Sequence, residues 1–159
     1  MSTKILALDR AINNTVEWID DIQDELGWES RDNVYHATKA VLQSIRDRLP
    51  FEEVIHLSAN LPLIMKGMMM DAYDLKNKPQ RIRSIEEFLE YVQANYDASM
   101  RDIISPEDAT IAVISVLNRR MGGGEMRKVA ANMPEQIRRL FKEAGVELPE
   151  AQPMAAPAQ

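Results

Sequence analysis

The sequence contains an internal repeat, and this repeat limits the possible fold more than any other feature. Residues 37–62 read ATKAVLQSIRDRLPFEEVIHLSANLP, and residues 109–134 read ATIAVISVLNRRMGGGEMRKVAANMP, at a constant offset of 72 and without a gap. The positions that are identical in both copies are, in the first copy, Ala37, Thr38, Ala40, Val41, Arg48, Glu53, Ala59, Asn60 and Pro62. Repetition at a fixed spacing is typical of a fold assembled from similar units.

Apolar residues in and around the repeat follow the spacing of an α-helix. In residues 4–26 they recur at steps of three and four, at Ile5, Leu8, Ile12, Val16, Ile19, Ile22 and Leu26. Pro50 and Pro62 divide the first copy into separate helical segments, because the residue before a proline avoids the helical region. The alternation typical of a strand does not occur. The sequence therefore predicts an all-α helical bundle of about eight helices, built from two pseudo-symmetric repeats of about four helices.

The predicted domain organisation follows from the size of the repeats. Each copy alone is too small to bury its apolar faces well, so we expect a single domain over residues 1–147. Its two repeats occupy about 12–70 and 84–144, and residues 71–83 form a linker. Residues 148–159 are dominated by proline, alanine and glutamine, a composition typical of a disordered tail.

The composition argues against several classes of function. The chain has no cysteine, which excludes disulfides, thiolate metal sites and cysteine nucleophiles and fits a reducing, cytoplasmic location. Its net charge of -6 argues against nucleic acid as the main partner, because nucleic-acid binding generally needs a clustered basic surface. No uninterrupted apolar stretch is long enough to predict a membrane span.

Few residues qualify as catalytic or metal-binding groups. Glu53 and His56 have the Glu-x-x-His spacing of di-iron helical bundles. The second copy keeps Glu125 but has Lys128 in place of the histidine, and a cation cannot be a metal ligand. His36 is the other histidine, and neither histidine has a nucleophile at a recognisable spacing. We therefore expect no catalytic residue, no cofactor and no metal.

Two segments that differ between the copies are candidates for partner binding. Three consecutive methionines cannot all face one core on a helix, so at least one should be exposed or lie in an interface. The alternative is a helix that is buried on all sides between the repeats. The linker is locally basic and is suited to an acidic partner. The candidate residues are Met65, Met68, Met69, Met70, Lys76, Lys78, Arg81 and Arg83.

An arginine and a glutamate recur on either side of one turn in both copies. They are Arg48 and Glu53 in the first copy, and Arg120 and Glu125 in the second. A bidentate ion pair across the turn would fix the angle between two successive helices. We therefore predict two structural corner pairs, and we expect the loss of either arginine to lower the melting temperature.

Several short motifs within the repeat and the segment between its copies form a recognisable combination. These motifs are Arg48-Leu49-Pro50, Glu52-Glu53, Leu61-Pro62, Ser84 to Phe88, Gly124-Glu125 and Met133-Pro134. Together they resemble the bacterial family called domain of unknown function 2267, over roughly residues 15–143. The resemblance implies an all-α, soluble bacterial protein, and it implies no reaction.

The sequence thus favours binding over catalysis. A regular helical core pattern without a catalytic constellation leads us to expect a non-enzymatic α-helical interaction or scaffold protein. Its expected partner is another protein or further copies of itself. The alternative is a carrier of a small-molecule or lipid-like ligand, with a methionine-lined cavity between the repeats.

Overall fold

The computed structural model describes residues 2–27, 30–100, 102–122 and 124–148, and it has no strand in these residues. The predicted all-α bundle of about eight helices is confirmed. A short 3-10 helix spans Ala98–Met100, and no helix in the described residues is long and apolar enough to cross a membrane. The α-helices are α1 (Leu6–Leu26), α2 (Arg31–Arg48), α3 (Phe51–Ala59), α4 (Leu63–Met70), α5 (Ile85–Ala94), α6 (Pro106–Arg120), α7 (Glu125–Ala131) and α8 (Glu135–Glu143).

Capping serines and prolines set where most of these helices begin. Before α2, α5 and α6, a serine side chain accepts a hydrogen bond from the backbone N–H three residues later, which satisfies a donor that has no partner inside the helix. These serines are Ser30, Ser84 and Ser105. Before α3, α4 and α8 stands a proline, at Pro50, Pro62 and Pro134.

The centre of the bundle is formed by α2 and α6, which pack against each other. Helix α2 also contacts α1, α4 and α5, and α6 also contacts α1, α5 and α8. The duplicated residues Ala37 and Val41 on α2, like Ala109 and Val113 on α6, are almost completely buried. The identities between the two copies therefore fall largely on side chains that the central packing requires.

The arrangement of the helices follows the repeat. The ends of α2 and α6, the ends of α3 and α7, and the starts of α4 and α8 all recur 72 residues apart. Each of α1–α4 has a counterpart, in order, among α5–α8, and pairs of helices in contact correspond to pairs that are also in contact. The pair α1 and α6 corresponds to α5 and α2, and the pair α2 and α4 corresponds to α6 and α8. Two pseudo-symmetric repeats would give this pattern, although the pseudo-symmetry itself stays a prediction.

The segment between α4 and α5 packs against the end of α2. The N–H of Gln80 donates to the carbonyl of Asp47 at 2.7 Å, and Nε of Arg48 donates to the carbonyl of Ile82 at 2.8 Å. The side chain of Ile82 is buried in the core. Of the predicted tail, residues 149–159 lie outside the described residues.

Candidate functional site

The end of α2 carries two charged side chains that are buried. Arg46 and Asp47 are each 4% exposed, and they are the only charged residues in the core of the described chain. Moving a charge out of water costs several kcal/mol unless it is paired and hydrogen-bonded. Here Nε of Arg46 donates to Oδ1 of Asp47 at 2.7 Å. This pair is therefore the first place to examine for a functional site.

The guanidinium of Arg46 also holds the end of α4. One of its terminal nitrogens donates to the carbonyl of Met69 at 2.7 Å and to the carbonyl of Asp71 at 2.9 Å. The ring of Tyr73 lies 5.0 Å from the guanidinium carbon, a distance typical of a cation–π contact. The carbonyls that end α4 have no partner inside the helix, so Arg46 supplies donors for two of them, and the side chain of Gln43 also donates to the carbonyl of Asp71 at 3.3 Å.

The carboxylate of Asp47 holds α5 in the same way. The hydroxyl of Tyr91 donates to Oδ2 of Asp47 at 2.5 Å. Burial raises the pKa of Tyr91, and the hydrogen bond and negative charge of Asp47 raise it further. The hydroxyl therefore stays protonated through the neutral range and remains a donor. We call Arg46, Asp47, Tyr73 and Tyr91 the Arg46–Asp47 network.

The Arg46–Asp47 network connects three parts of the fold. Each charged group in it is satisfied by a partner within the chain, which suits a structural role better than a reactive one. The sequence analysis did not select these residues. A signal was available, because the second copy has Asn118 and Arg119 at the positions of Arg46 and Asp47. The charged pair of the network therefore occurs only in the first copy.

The four candidate methionines lie mainly inside the fold. Met65, Met68 and Met69 are buried, and Met70 is partly buried against the same core. Helix α4 contacts α1, α2 and α3, which together cover most of its sides. Met65, Met68 and Met69 are therefore not available to a partner in this conformation. Helix α4 is nevertheless not buried on all sides between the repeats, because Leu63 is 63% exposed.

The predicted corner pair of the first copy is not formed. Arg48 lies in the last turn of α2, and its Nε donates to the carbonyl of Ile82 instead of contacting Glu53. The reason is the linker, which crosses the end of α2 and offers Arg48 an acceptor. The ion pair between Arg48 and Glu53 was therefore a wrong prediction.

The predicted pair of the second copy is not formed either. Nε of Arg120 donates to Oδ2 of Asp21 on α1 at 2.6 Å, and its guanidinium carbon lies 5.6 Å from the ring of Trp18. Glu125 instead lies 3.5 Å from Nζ of Lys128. The acidic face of α1 attracts Arg120 because α1 packs directly against α6. Both arginines thus connect distant segments rather than consecutive helices.

The four basic linker residues all reach the surface. Lys76, Arg81 and Arg83 are exposed and Lys78 is partly buried. Lys78 and Arg81 line an open, polar pocket together with Asn77, Pro79 and Gln80. Within the described residues, none of the four cations forms an ion pair.

The histidines have unremarkable surroundings. Nε2 of His36 lies 3.7 Å from Oδ1 of Asp32 at the start of α2. His56 is exposed on α3, and the carbonyl of His56 accepts a hydrogen bond from the side chain of Asn60. In the part of the chain that the structure describes, no group of three or more His, Cys, Asp or Glu side chains is placed to hold a metal ion.

An apolar groove runs between α1, α2 and α4. Apolar side chains dominate its lining, and none of the four methionines belongs to it. Its lining residues are Ile12, Thr15, Val16, Ile19, Arg31, Asp32, Tyr35 and Ile64. Near the same helices, the most exposed large apolar side chains are Ile5, Leu6, Leu8 and Leu63. The spacing of the apolar residues of α1 predicts one helical stripe, but it does not show how much of that stripe the bundle leaves uncovered.

Comparison with known proteins identifies the family. Residues 15–144 match the family described as uncharacterized conserved protein (DUF2267). The chain belongs to this family. None of the curated proteins matches the chain. Because the family description names no reaction, the function of this DUF2267 protein has to be argued from its geometry.

The matched region of the DUF2267 protein begins inside α1. The Arg46–Asp47 network, the linker and both copies of the repeat lie within it. The first turns of α1, with the exposed Ile5, Leu6 and Leu8, precede it. The apolar groove spans this boundary, because Ile12 lies before residue 15 and Val16 after it.

Proposed function

We propose that this DUF2267 protein is a non-enzymatic helical interaction protein that binds a second copy of itself through α1. The proposal rests on one apolar stripe along that helix, formed by Ile5, Leu8, Ile12, Val16 and Ile19, which we call the α1 stripe. Exposure along it increases towards the start of the helix, from 5% at Ile19 to 45% at Leu8 and 54% at Ile5.

The α1 stripe extends beyond the core that covers it. Residues spaced by three and four lie on one face of a helix, so a single partner surface can cover all of them. The end of the stripe near Ile19 is covered by the bundle, whereas the end near Leu8 is not. Complete burial of one large aliphatic side chain stabilises by about 1.5–3 kcal/mol, so covering this end favours association.

The charges along α1 favour a second copy as the partner. Lys4 and Arg10 lie in or just before the first half of the helix, and Glu17 and Asp24 lie in the second half. The carboxylate of Asp9, which accepts hydrogen bonds from the N–H and hydroxyl of Thr3 at 2.8 Å, also lies in the first half, so Lys4, Asp9 and Arg10 together leave one net positive charge there. In an antiparallel pair, the basic half of each helix faces the acidic half of the other. Such a contact is self-complementary, as a two-fold dimer requires.

The ligand-carrier alternative receives less support than self-association. Met65 and Met69 are completely buried within a continuous core rather than lining the apolar groove. The groove between α1, α2 and α4 is open to the surface, and three residues of the α1 stripe, Ile12, Val16 and Ile19, line it. This shape suits a helix from a partner better than an enclosed small molecule.

The proposal is tested by light scattering on the full-length protein over a range of concentrations. We expect a dimer for the wild type and a monomer for Leu8→Glu and Ile12→Glu, with unchanged helical content. Ile55→Glu, on the exposed face of α3, serves as the matched control and should remain dimeric. A wild type that stays monomeric at every concentration would refute self-association.

A charge-reversal pair tests the orientation of the two helices. Arg10→Glu should weaken the dimer because it places like charges opposite each other, and Glu17→Arg should weaken it for the same reason. The double variant should recover dimer formation if the helices are antiparallel. Additive weakening in the double variant would contradict that arrangement.

A further inference from the structure

The linker brings a second arginine beside Arg48. Nε of Arg48 donates to the carbonyl of Ile82 at 2.8 Å, and Arg83 is the next residue in the chain. Arg48 is partly buried, and this burial together with the positive charge of Arg83 lowers the pKa of Arg48. The carbonyl that accepts from Arg48 belongs to the peptide bond between Ile82 and Arg83, so Arg83 directly follows this contact, at a place where Arg48 is partly shielded from water.

This pair of cations lacks a counter-charge. Within the described parts of the chain, neither Arg48 nor Arg83 forms an ion pair with a carboxylate. By contrast, Arg46 is paired with Asp47 and Arg120 with Asp21. Like charges in contact destabilise a fold unless an anion compensates them. The positive charge at this place is thus available to an anion from outside the chain.

Two more cations lie on the same stretch of the linker. Arg81 and Arg83 flank the buried Ile82 in the chain, and both are exposed. Arg81 also lines the open polar pocket with Lys78. We call Arg48, Lys78, Arg81 and Arg83 the linker cation site.

We propose that the linker cation site binds a phosphate-type oxyanion. A guanidinium presents two parallel N–H donors that match two oxygens of one oxyanion. A tetrahedral dianion has enough acceptor oxygens for more than one such fork, and its charge balances Arg48 and Arg83 together. A single carboxylate carries one charge and leaves one of the two arginines uncompensated.

The first carboxylates after the linker do not occupy this site. Glu87 accepts a hydrogen bond from the hydroxyl of Ser84 at 3.2 Å, and the N–H of Glu87 donates back to the same hydroxyl oxygen at 3.1 Å. This capping arrangement holds Glu87 at the start of α5. Glu86 is exposed, and no ion pair joins it to the linker cations in the described residues.

The proposal is tested by calorimetric titration of the full-length protein at constant ionic strength. One series uses inorganic phosphate, another a short phosphoserine peptide, and a third the same peptide with glutamate in place of phosphoserine. We expect saturable binding of phosphate, and about a tenfold loss of affinity in Arg83→Gln and in Arg81→Gln, because each removes charge-assisted hydrogen bonds. Both residues are exposed, so the fold is retained, which a melting curve verifies.

The outcomes separate a site from general charge effects. Arg127→Gln removes an exposed arginine of α7 and should leave phosphate affinity unchanged. If the phosphoserine peptide binds no more tightly than inorganic phosphate, the ligand is a free anion. If the phosphoserine peptide binds more tightly, the ligand is a phosphorylated protein segment. No saturable binding, an equal loss in Arg127→Gln, or preference for the glutamate peptide would overturn the proposal. Leu8→Glu should bind phosphate normally, so this proposal and self-association can fail separately.

Discussion

Arg46 and Asp47 are adjacent in the chain and paired in the core, with 2.7 Å between Nε and Oδ1. Successive residues on a helix do not normally face each other. These two meet near the end of α2, where both side chains extend towards the linker and α5. Four predictions follow from this network, from the observed arginine contacts and from the glycines.

Replacing Asp47 by asparagine should strongly destabilise the protein. The variant leaves the buried guanidinium of Arg46 without its counter-charge, and breaking a buried ion pair in this way costs about 3–5 kcal/mol. Urea unfolding followed by circular dichroism measures the change in free energy. Arg139→Ala is the control, because Arg139 and Glu143 form an exposed pair at 3.6 Å whose loss should cost less than about 0.5 kcal/mol. Equal effects of the two variants would contradict the importance assigned to the buried pair.

Replacing Tyr91 by phenylalanine should change how stability depends on pH. The pKa of Tyr91 in the folded protein lies above its ordinary value of 10.0. Above about pH 10 the unfolded chain therefore loses a proton that the folded protein keeps, and the free energy of unfolding falls as the pH rises. Below that pH both states are protonated and this contribution is constant.

We expect the alkaline loss of stability to be smaller in Tyr91→Phe than in the wild type, although the variant is less stable at neutral pH. Burial raises the pKa of Tyr73 and Tyr96 as well, so part of the alkaline slope should remain. Unfolding curves between pH 8 and 11 measure this. If the free energy of unfolding falls equally with pH in the two proteins, Tyr91 contributes nothing to the alkaline loss of stability.

The two repeated arginines should differ in their coupling partners. Arg120 and Asp21 are both 32% exposed, so a double-mutant cycle with alanine at these positions should give a coupling energy of about 0.2–1 kcal/mol. The corresponding cycle for Arg48 and Glu53 should give no coupling, because Arg48 donates to a backbone carbonyl instead. We still expect Arg48→Ala and Arg120→Ala each to lower the melting temperature. A large coupling energy between Arg48 and Glu53 would instead support the predicted ion pair between these two residues.

The same substitution at two glycines should have opposite effects. Gly67 lies inside α4, and a Cβ added there meets no atom within 4 Å, so Gly67→Ala should stabilise by about 0.5–1 kcal/mol. Gly145 has equal space but a φ of +93°, where a side chain is strained, so Gly145→Ala should destabilise by about 1 kcal/mol or more. Thermal unfolding of the two variants measures both shifts. If both variants shift the melting temperature in the same direction, backbone conformation does not determine the effect of alanine at these two positions.

Much of the fold was accessible from the sequence because its signals are local. The spacing of apolar residues predicts the helices, and Ser105 and Pro134 mark where two of them begin. The candidate sites were harder to predict. The α1 stripe has the same spacing whether a side chain faces the bundle or the solvent, so the exposed Leu8 and the buried Ile19 could not be distinguished. The partners of Arg48 and Arg120 lie on segments distant in sequence.

The sequence by itself determined the helical class and the approximate boundaries of most helices, because periodicity and capping act over a few residues. Only the tertiary structure decided which charges are paired and which apolar surfaces remain uncovered. It joined Arg46 to Asp47 and Tyr91, gave Arg48 the carbonyl of Ile82, and left the start of α1 exposed. These outcomes depend on how the linker crosses α2 and how far α1 extends past the bundle. Such relationships arise from packing between distant segments, which no local pattern encodes.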